Sequence, residues 1–482
     1  MTAVSEAPSD YDPLYREALT AVPIRNLLLV LLSLVITGCA SQATISNKDL
    51  SQLEPDKRYA VFNLDENRKP LPRNLKQDVS LSLAFSGGGT RAAALAYGVL
   101  LELRDTPIYH PQGPQRLLDE VDMISSVSGG SFTSAYYGLY GERTFDEFEK
   151  KFLRHNVGEV LLDRLLSPSR WFSSQDRSEA AVQVYQDRLF EDKTFADLQA
   201  AGGPMIIINA SDLGRGVRFS FLQDYFDLLC SDLSSFPVAK AVTASSAVPV
   251  LFAPVVLKNH DGCRSNAQSY LQSVDTNRLP NQVAQVVSGL KTYSDKQQRQ
   301  YIHLVDGGIT DNLGLMAIYE MVEVAGGIEP FMRVTGGKPA RNILIISVNA
   351  STYVKHEIEL TKEEPSLEDT LNTVTDVQLH RYNAATLDLL RETTQNWSGQ
   401  LSTEQRPVNT YFVELSFETL TPEQKDYFNR IPTSFNLEDE QVDRLIELGR
   451  NLLRQNSDFR RFLDNYAANG DGDPLGPQNA YR

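Results

Sequence analysis

Two short segments about forty residues apart constrain this chain more than anything else in it: LSLAFSGGGTRAAALAYG and VDMISSVSGGSF. Each reads as an apolar run, a glycine-dense turn and a helix start. The first lines up three glycine amides, Gly87, Gly88 and Gly89. The second sets Ser128 at the tip of a tight strand-to-helix turn. An anion-binding turn beside a serine is what acyl transfer to a hydroxyl requires. A third segment, HLVDGGITDN, places a carboxylate, Asp306, at another strand end.

The pattern around these segments is α/β. VSLSLAF alternates as a strand, and TRAAALAYGVLLELRD follows as a helix. VDMISSV is a strand, with a helix from Ser131 to about Tyr140. PMIIINASDL is a continuous apolar run of the buried, parallel type, and YIHLVDGG and NILIISVNAS read as further buried strands. Strands alternating with helices predict a mainly parallel sheet covered on both faces, with ligand sites at the carboxyl ends of strands. The stretches near 144–200 and 257–300 interrupt this pattern and read as surface insertions. An amphipathic helix or two close the chain before a polar, glycine-rich tail at 466–482.

Taken singly, each turn has a plainer reading. SVSGG sits in the strand–turn–helix context of a nucleophile elbow, with Ser126 and Gly130 as the small residues two before and two after the serine. Ser126 stands where such elbows carry glycine, and Ser128 is equally compatible with a helix N-cap. SGGGTR is neither a Walker loop nor G-x-G-x-x-G; it is an anion cradle or a turn for close strand–helix packing.

Charge and cysteines narrow the setting. Forty-six bases against 62 acids give a net charge of −16 over 482 residues, which excludes a basic nucleic-acid footprint. An acidic surface gains nothing from anionic lipid, so membrane contact would be apolar or through an anchor. Residues 27–37, LLLVLLSLVIT, are too short to span a bilayer and have the length of a signal-peptide apolar region. They run into Ile36-Thr37-Gly38-Cys39, which resembles a bacterial lipobox. That resemblance implies a signal peptide at 1–38, lipidation (palmitate included) at Cys39 and a tether at 39–76. With Ala40 after the cysteine, it implies the outer membrane, facing the periplasm or the outside. The acidic residues 1–24 are unlike a signal-peptide start, so translation is expected to begin downstream of Met1. Cys230 and Cys263 remain, either as a disulfide or as two buried thiols. No His/Cys cluster suggests a metal, and no cofactor is expected.

In order along the chain, SGGGTRAAALAYGVL, SSVSGGSF, NASDLGRGVRFSF, AVTASSAVPVLFAPV and VDGGITDN resemble the patatin-like phospholipase family. The resemblance runs from about Val79 to Ser347. It implies a three-layer α/β/α sandwich, placed here at 77–465, and lipid acyl hydrolysis by a Ser–Asp dyad through an acyl-enzyme. Ser128 matches the nucleophile and Asp306 the general base. Gly87, Gly88 and Gly89 match the oxyanion loop, with Arg91 after it; Gly129, Gly130 and Gly307 support the turns. The implied substrate is a phospholipid or another lipid ester. An acyltransferase using the same acyl-enzyme, and a non-catalytic envelope scaffold, are the alternatives.

The histidines are consistent with a dyad. His303 is three residues before Asp306 on one strand, so it faces the other side of the sheet. His356 lies in a charged stretch and His380 in a helical pattern. Asp311 reads as a cap for the next segment, and Asn209 and Asp212 as residues that fix a loop. Trp171 and Phe172 are either an apolar lip for a lipid chain or core.

Overall fold

The computed structural model describes residues 43–50, 59–62, 79–110, 113–156, 177–249, 251–263, 265–335, 340–353, 362 and 364–468. Residues Ala43–Arg482 form one compact unit. The expected leader with Cys39, the pair Trp171 and Phe172, His356 and the tail from 469 lie outside the described residues.

The frame is one eight-stranded sheet. Its strands are β1 (Val79–Phe85), β2 (Val121–Val127), β3 (Met205–Asp212), β4 (Val217–Ser220), β5 (Val255–Lys258), β6 (Tyr301–Asp306), β7 (Asn342–Asn349) and β8 (Asn409–Ser416). The spatial order is β8-β7-β1-β2-β3-β6-β5, with β4 also on β3. Strands β8, β7, β1, β2 and β3 are mutually parallel. Strand β7 is buried along all eight residues, which is why its sequence is a continuous apolar run instead of an alternation. Helices cover the sheet, giving the expected α/β sandwich.

One strand departs from the parallel expectation. Strand β6, which carries Asp306, runs antiparallel to β3 and to β5. An apolar run reports burial on both faces and is blind to direction, so the sequence pattern missed it. The carboxylate still reaches the right level because β3 overshoots its parallel partner. Val127 of β2 pairs with Asn209 of β3, and Asp306 pairs with Ala210, one residue further on.

Six helices frame or brace the ends of these strands: α1 (Gly89–Asp105), α2 (Gly129–Tyr140), α3 (Val238–Ser245), α4 (Met316–Val324), α5 (Leu367–Leu401) and α6 (Asp439–Gln455). Helix α6 lies directly on α1. A β-carbon on Gly98 would sit 2.1 Å from the Ile446 carbonyl oxygen, and one on Gly449 2.4 Å from that of Leu95. Glu102 of α1 is nearly buried and is held by Arg450 at 3.2 Å and Arg454 at 2.6 Å. The fold therefore includes residues well beyond Ser347.

The two stretches read as surface insertions also reach inward. Tyr185 packs edge-on against Phe132 of α2 at 4.9 Å, and Phe190 is fully buried. Isolated aromatic residues among charges carry no period, so this packing left no trace in the sequence pattern. Cys230 and Cys263 are joined by a disulfide that closes 33 residues and ties the second stretch to the turn that follows the helix Gln223–Leu228. On the chain-entropy model a loop of that length is worth roughly 3–4 kcal/mol.

The helix contact makes a paired prediction. Gly98→Leu, blocked by backbone, should lower the unfolding free energy by at least roughly 1–3 kcal/mol. Gly399→Ala on α5, where nothing lies within 4 Å, should be neutral or stabilising by roughly 0.5–1 kcal/mol. Urea melts of both variants measure the contrast.

Candidate active site

Ser128 occupies the junction of β2 and α2 with φ 49° and ψ −120°, a backbone state that L-residues rarely adopt. Such a conformation costs on the order of 1–3 kcal/mol and persists only when its surroundings over-determine it. Those surroundings are explicit. The Ser128 N–H donates to Ser245 Oγ at 2.9 Å, and Ser245 Oγ donates to the Asn209 carbonyl at 2.6 Å. Gly129 and Gly130 leave no room for a side chain: a β-carbon would lie 2.0 Å from the Gly89 carbonyl oxygen and 2.7 Å from Phe85 Cβ, respectively. Ser126, the residue that departs from an elbow, fits because Ser134 Oγ donates to its hydroxyl at 2.7 Å.

Ser128 stands at the N-cap position of α2, yet its hydroxyl makes no capping hydrogen bond. It stands beside Asp306 instead, where it favours the ionised form of that carboxyl. That carboxylate is 8% exposed and also accepts the Gly308 N–H at 2.7 Å. Burial pushes the Asp306 carboxyl up to about 6, against the opposing pull of the Gly308 amide and the Ser128 hydroxyl. The Asp306 N–H donates to the Ala247 carbonyl and the Gly307 N–H to the Ser245 carbonyl. The end of α3 thus fixes both the serine turn and the carboxylate strand.

The glycine turn is only partly available to an anion. The Gly87 N–H is committed to the Asn312 carbonyl at 3.0 Å. Gly88 and Gly89 take φ 136° and φ 60°, which turns their amides off the strand direction at the start of α1. Gly87 is therefore taken out of the expected triple cradle, which leaves Gly88 and Gly89 as its candidates. Gly129, whose amide begins α2 without an intrahelical partner, is packed against Gly89 and adds a third N–H donor.

Arg91 does not face this site. It is buried, with Nε on the Ala350 carbonyl at 2.9 Å, Nη1 on the Ile431 carbonyl at 2.6 Å and Nη2 on Thr433 Oγ1 at 2.9 Å. Burial lowers its guanidinium to about 10. Its role is to clamp the glycine turn to the chain at 431–434, where Ser434 also accepts the Thr90 N–H.

Three contributors escaped the sequence pattern. Ser245 lies in the AVTASSAVP block, where small residues mark close packing without saying which one accepts the elbow amide. Asn312 holds Gly87, and Arg218 reaches Asn209 Oδ1 at 3.3 Å while pairing with buried Glu320 at 2.5 Å. Asp311 caps α4 through the Met316 and Ala317 amides, as its spacing suggested. His303 is exposed on β6, and His380 donates to the Thr352 carbonyl from α5.

Residues 83–319 match the family model described as Patatin-like phospholipase. They form a patatin-like phospholipase domain. No curated protein matches the chain. Among solved structures, human GIVD cytosolic phospholipase A2 is similar over 80% of this chain and 60% of its own, at 14% identity and a TM-score of 0.41. The same human protein in complex with methyl γ-linolenyl fluorophosphonate matches over 86% and 63%, at 14% identity and a TM-score of 0.37. VipD from Legionella pneumophila matches over 81% and 67%, at 12% identity and a TM-score of 0.33. The chain therefore spans less than two thirds of the length of the human protein. The match ends within α4, before β7, so Asn349, Ala350 and the 431–434 clamp lie outside the matched residues.

Strain at Ser128 gives a test independent of any reaction. Glycine adopts its backbone angles freely, so Ser128→Gly should keep or raise Tm, whereas Gly129→Ala should lower it. Thermal melts decide both.

Proposed function

We propose that this protein is a lipid acyl hydrolase of phospholipase or lysophospholipase type, working through a Ser128–Asp306 dyad. The observation that supports it most is a serine held in strained backbone beside a buried, raised-pKa carboxylate inside a patatin-like domain.

The chemistry follows from the geometry. Ser128 Oγ attacks the ester carbonyl carbon while its proton passes to the Asp306 carboxylate. Negative charge on the former carbonyl oxygen falls to the Gly88, Gly89 and Gly129 amides at the start of α1 and α2, where helix dipoles add to the field. Collapse breaks the ester C–O bond, and the departing alkoxide takes the proton from Asp306. The acyl group stays on Ser128. Asp306 then removes a proton from water, the resulting hydroxide attacks the acyl-enzyme, and Ser128 is regenerated with release of the fatty acid. No histidine is needed.

Asp306 must be ionised to accept the first proton. With its folded pKa at about 6, kcat/KM for a short-chain ester should fall below that pH and level off above it. Asp306→Asn should abolish turnover. Because its folded pKa exceeds that of an unfolded aspartate, ionising this group at neutral pH costs stability, so Asp306→Asn should melt no lower than the parent at pH 7.5. Full activity in Asp306→Asn would sink the dyad. Labelling of the parent by a fluorophosphonate, lost in Ser128→Ala, checks the nucleophile. Product masses with and without an added alcohol separate hydrolysis from acyl transfer.

We further propose that the chain is lipid-anchored at Cys39 on the bacterial outer membrane. The lipobox supports this, and so does the Cys230–Cys263 disulfide, a bond that persists in exported proteins. Cys39→Ser should move the protein from the membrane to the soluble fraction.

A further inference from the structure

Asn312 puts a carbonyl oxygen beside both reacting groups, and neither the serine nor the carboxylate uses it. The residue closes the one-turn helix Gly308–Asp311 and is 6% exposed. Its backbone carbonyl takes the Gly87 N–H, and its Nδ2 donates to Ser351 Oγ at 3.0 Å. Those contacts decide which end of the carboxamide faces the site. A β-carbon built on Gly308 would lie 3.0 Å from Asp306 Oδ1 and 3.1 Å from Asn312 Oδ1. One built on Gly87 would lie 2.7 Å from Asn312 Oδ1 and 3.4 Å from Ser128 Cβ. The width of one missing methyl group separates Oδ1 from the carboxylate on one side and from the serine on the other.

That oxygen is an acceptor without a donor. Among the described residues no N–H or O–H is directed at it. Nor is it one of the closed-off unpaired atoms, which include Asp311 Oδ1 and Ser347 Oγ. A donor arriving with the reactants would satisfy it. An oxyanion on the Gly88, Gly89 and Gly129 amides is not that partner, because two acceptors repel. The Ser128 hydroxyl has a single hydrogen, which the dyad sends to Asp306. Water has two. The space between Asp306 and Ser128 is also where water must stand to be deprotonated and to reach an acyl carbon on the serine.

We propose that Asn312 Oδ1 holds the attacking water during deacylation and so biases this site toward hydrolysis over acyl transfer. The inference rests on the Ser128 acyl-enzyme reading. Water donates one hydrogen to Asp306 and the other to Asn312, which aims its lone pair at the acyl carbon. The new C–O bond forms as the first proton passes to Asp306; the second hydrogen stays on the water oxygen and leaves in the fatty acid. The bond from the acyl carbon to Ser128 Oγ then breaks, and Oγ recovers the proton from Asp306. An alcohol acceptor brings one hydrogen, spends it on Asp306 and gains nothing from Asn312.

Partitioning of the common intermediate tests this independently of how fast it forms. The full chain is given p-nitrophenyl butyrate and a fixed concentration of methanol, and methyl butyrate and butyrate are quantified by mass. Asn312→Leu, similar in size but without an acceptor, should raise the ester-to-acid ratio about tenfold, the worth of one hydrogen bond of about 1.4 kcal/mol. Asn312→Ala should shift the ratio the same way, and it decides if the leucine variant melts early. Asn312→Asp keeps an acceptor and should hold the ratio within about twofold of the parent. Its added charge should lift the Asp306 pKa and move the acid limb of the rate to higher pH. Fluorophosphonate labelling needs Ser128 and no water, so its rate should fall less than about threefold in Asn312→Leu. An unchanged ratio in the leucine and alanine variants, or labelling that slows as much as hydrolysis does, would overturn the proposal. So would an unchanged ratio with KM raised for glycerol monobutyrate alone, which assigns Oδ1 to a substrate hydroxyl. Failure of the parent to label at Ser128 would overturn the acyl-enzyme reading, and this inference with it.

Discussion

The site hangs on one hydroxyl. Ser245 Oγ accepts the Ser128 N–H and passes its own hydrogen to the Asn209 carbonyl, while its backbone carbonyl takes the Gly307 N–H. A residue with φ 49° and ψ −120° would relax if its amide were released, because nothing intrinsic to serine favours those angles. The hydrogen bond supplies direction, and Gly129 and Gly130 supply the space. Buried Arg218 and Glu320 extend the support outward through Asn209, so the strain at one residue is spread over a polar network rather than borne by the turn alone.

The second constraint is where β6 stops. An antiparallel strand enters the sheet from the far side, so its last residue would ordinarily lie away from the carboxyl ends of its neighbours. Here β3 runs on beyond β2, and β6 pairs with it at three residues, the last of them Asp306, one step from the level of Val127. A glycine pair then turns the chain away. Gly307, whose β-carbon would meet the Asn209 carbonyl at 2.4 Å, permits that proximity. The carboxylate arrives beside the serine and out of water, which is what lifts its pKa.

Much of this was legible in the sequence, and the reasons are local. Both glycine-rich turns, the elbow and the Asp-Gly-Gly end are contiguous strings whose backbone demands are written in residue size. The α/β alternation, the helices after each turn and the cap at Asp311 were equally readable. The direction of β6 was not, since apolar runs carry no polarity. Nor was the commitment of the Gly87 amide to Asn312, or the outward clamp made by Arg91. Those depend on partners hundreds of residues away, and spacing says nothing about them. Ser245 was visible only as one small residue among several.

The Arg91 clamp also has a consequence in time. It joins the glycine turn to Ile431, 340 positions downstream, and Ser434 closes the same turn through Thr90. A chain leaves the ribosome from its N-terminus, so the serine turn and its carboxylate are complete long before the segment that braces the glycine amides exists. Whatever chemistry those amides support must wait until residues 431–434 have been made. A molecule stalled or clipped before residue 431 would carry an unbraced loop.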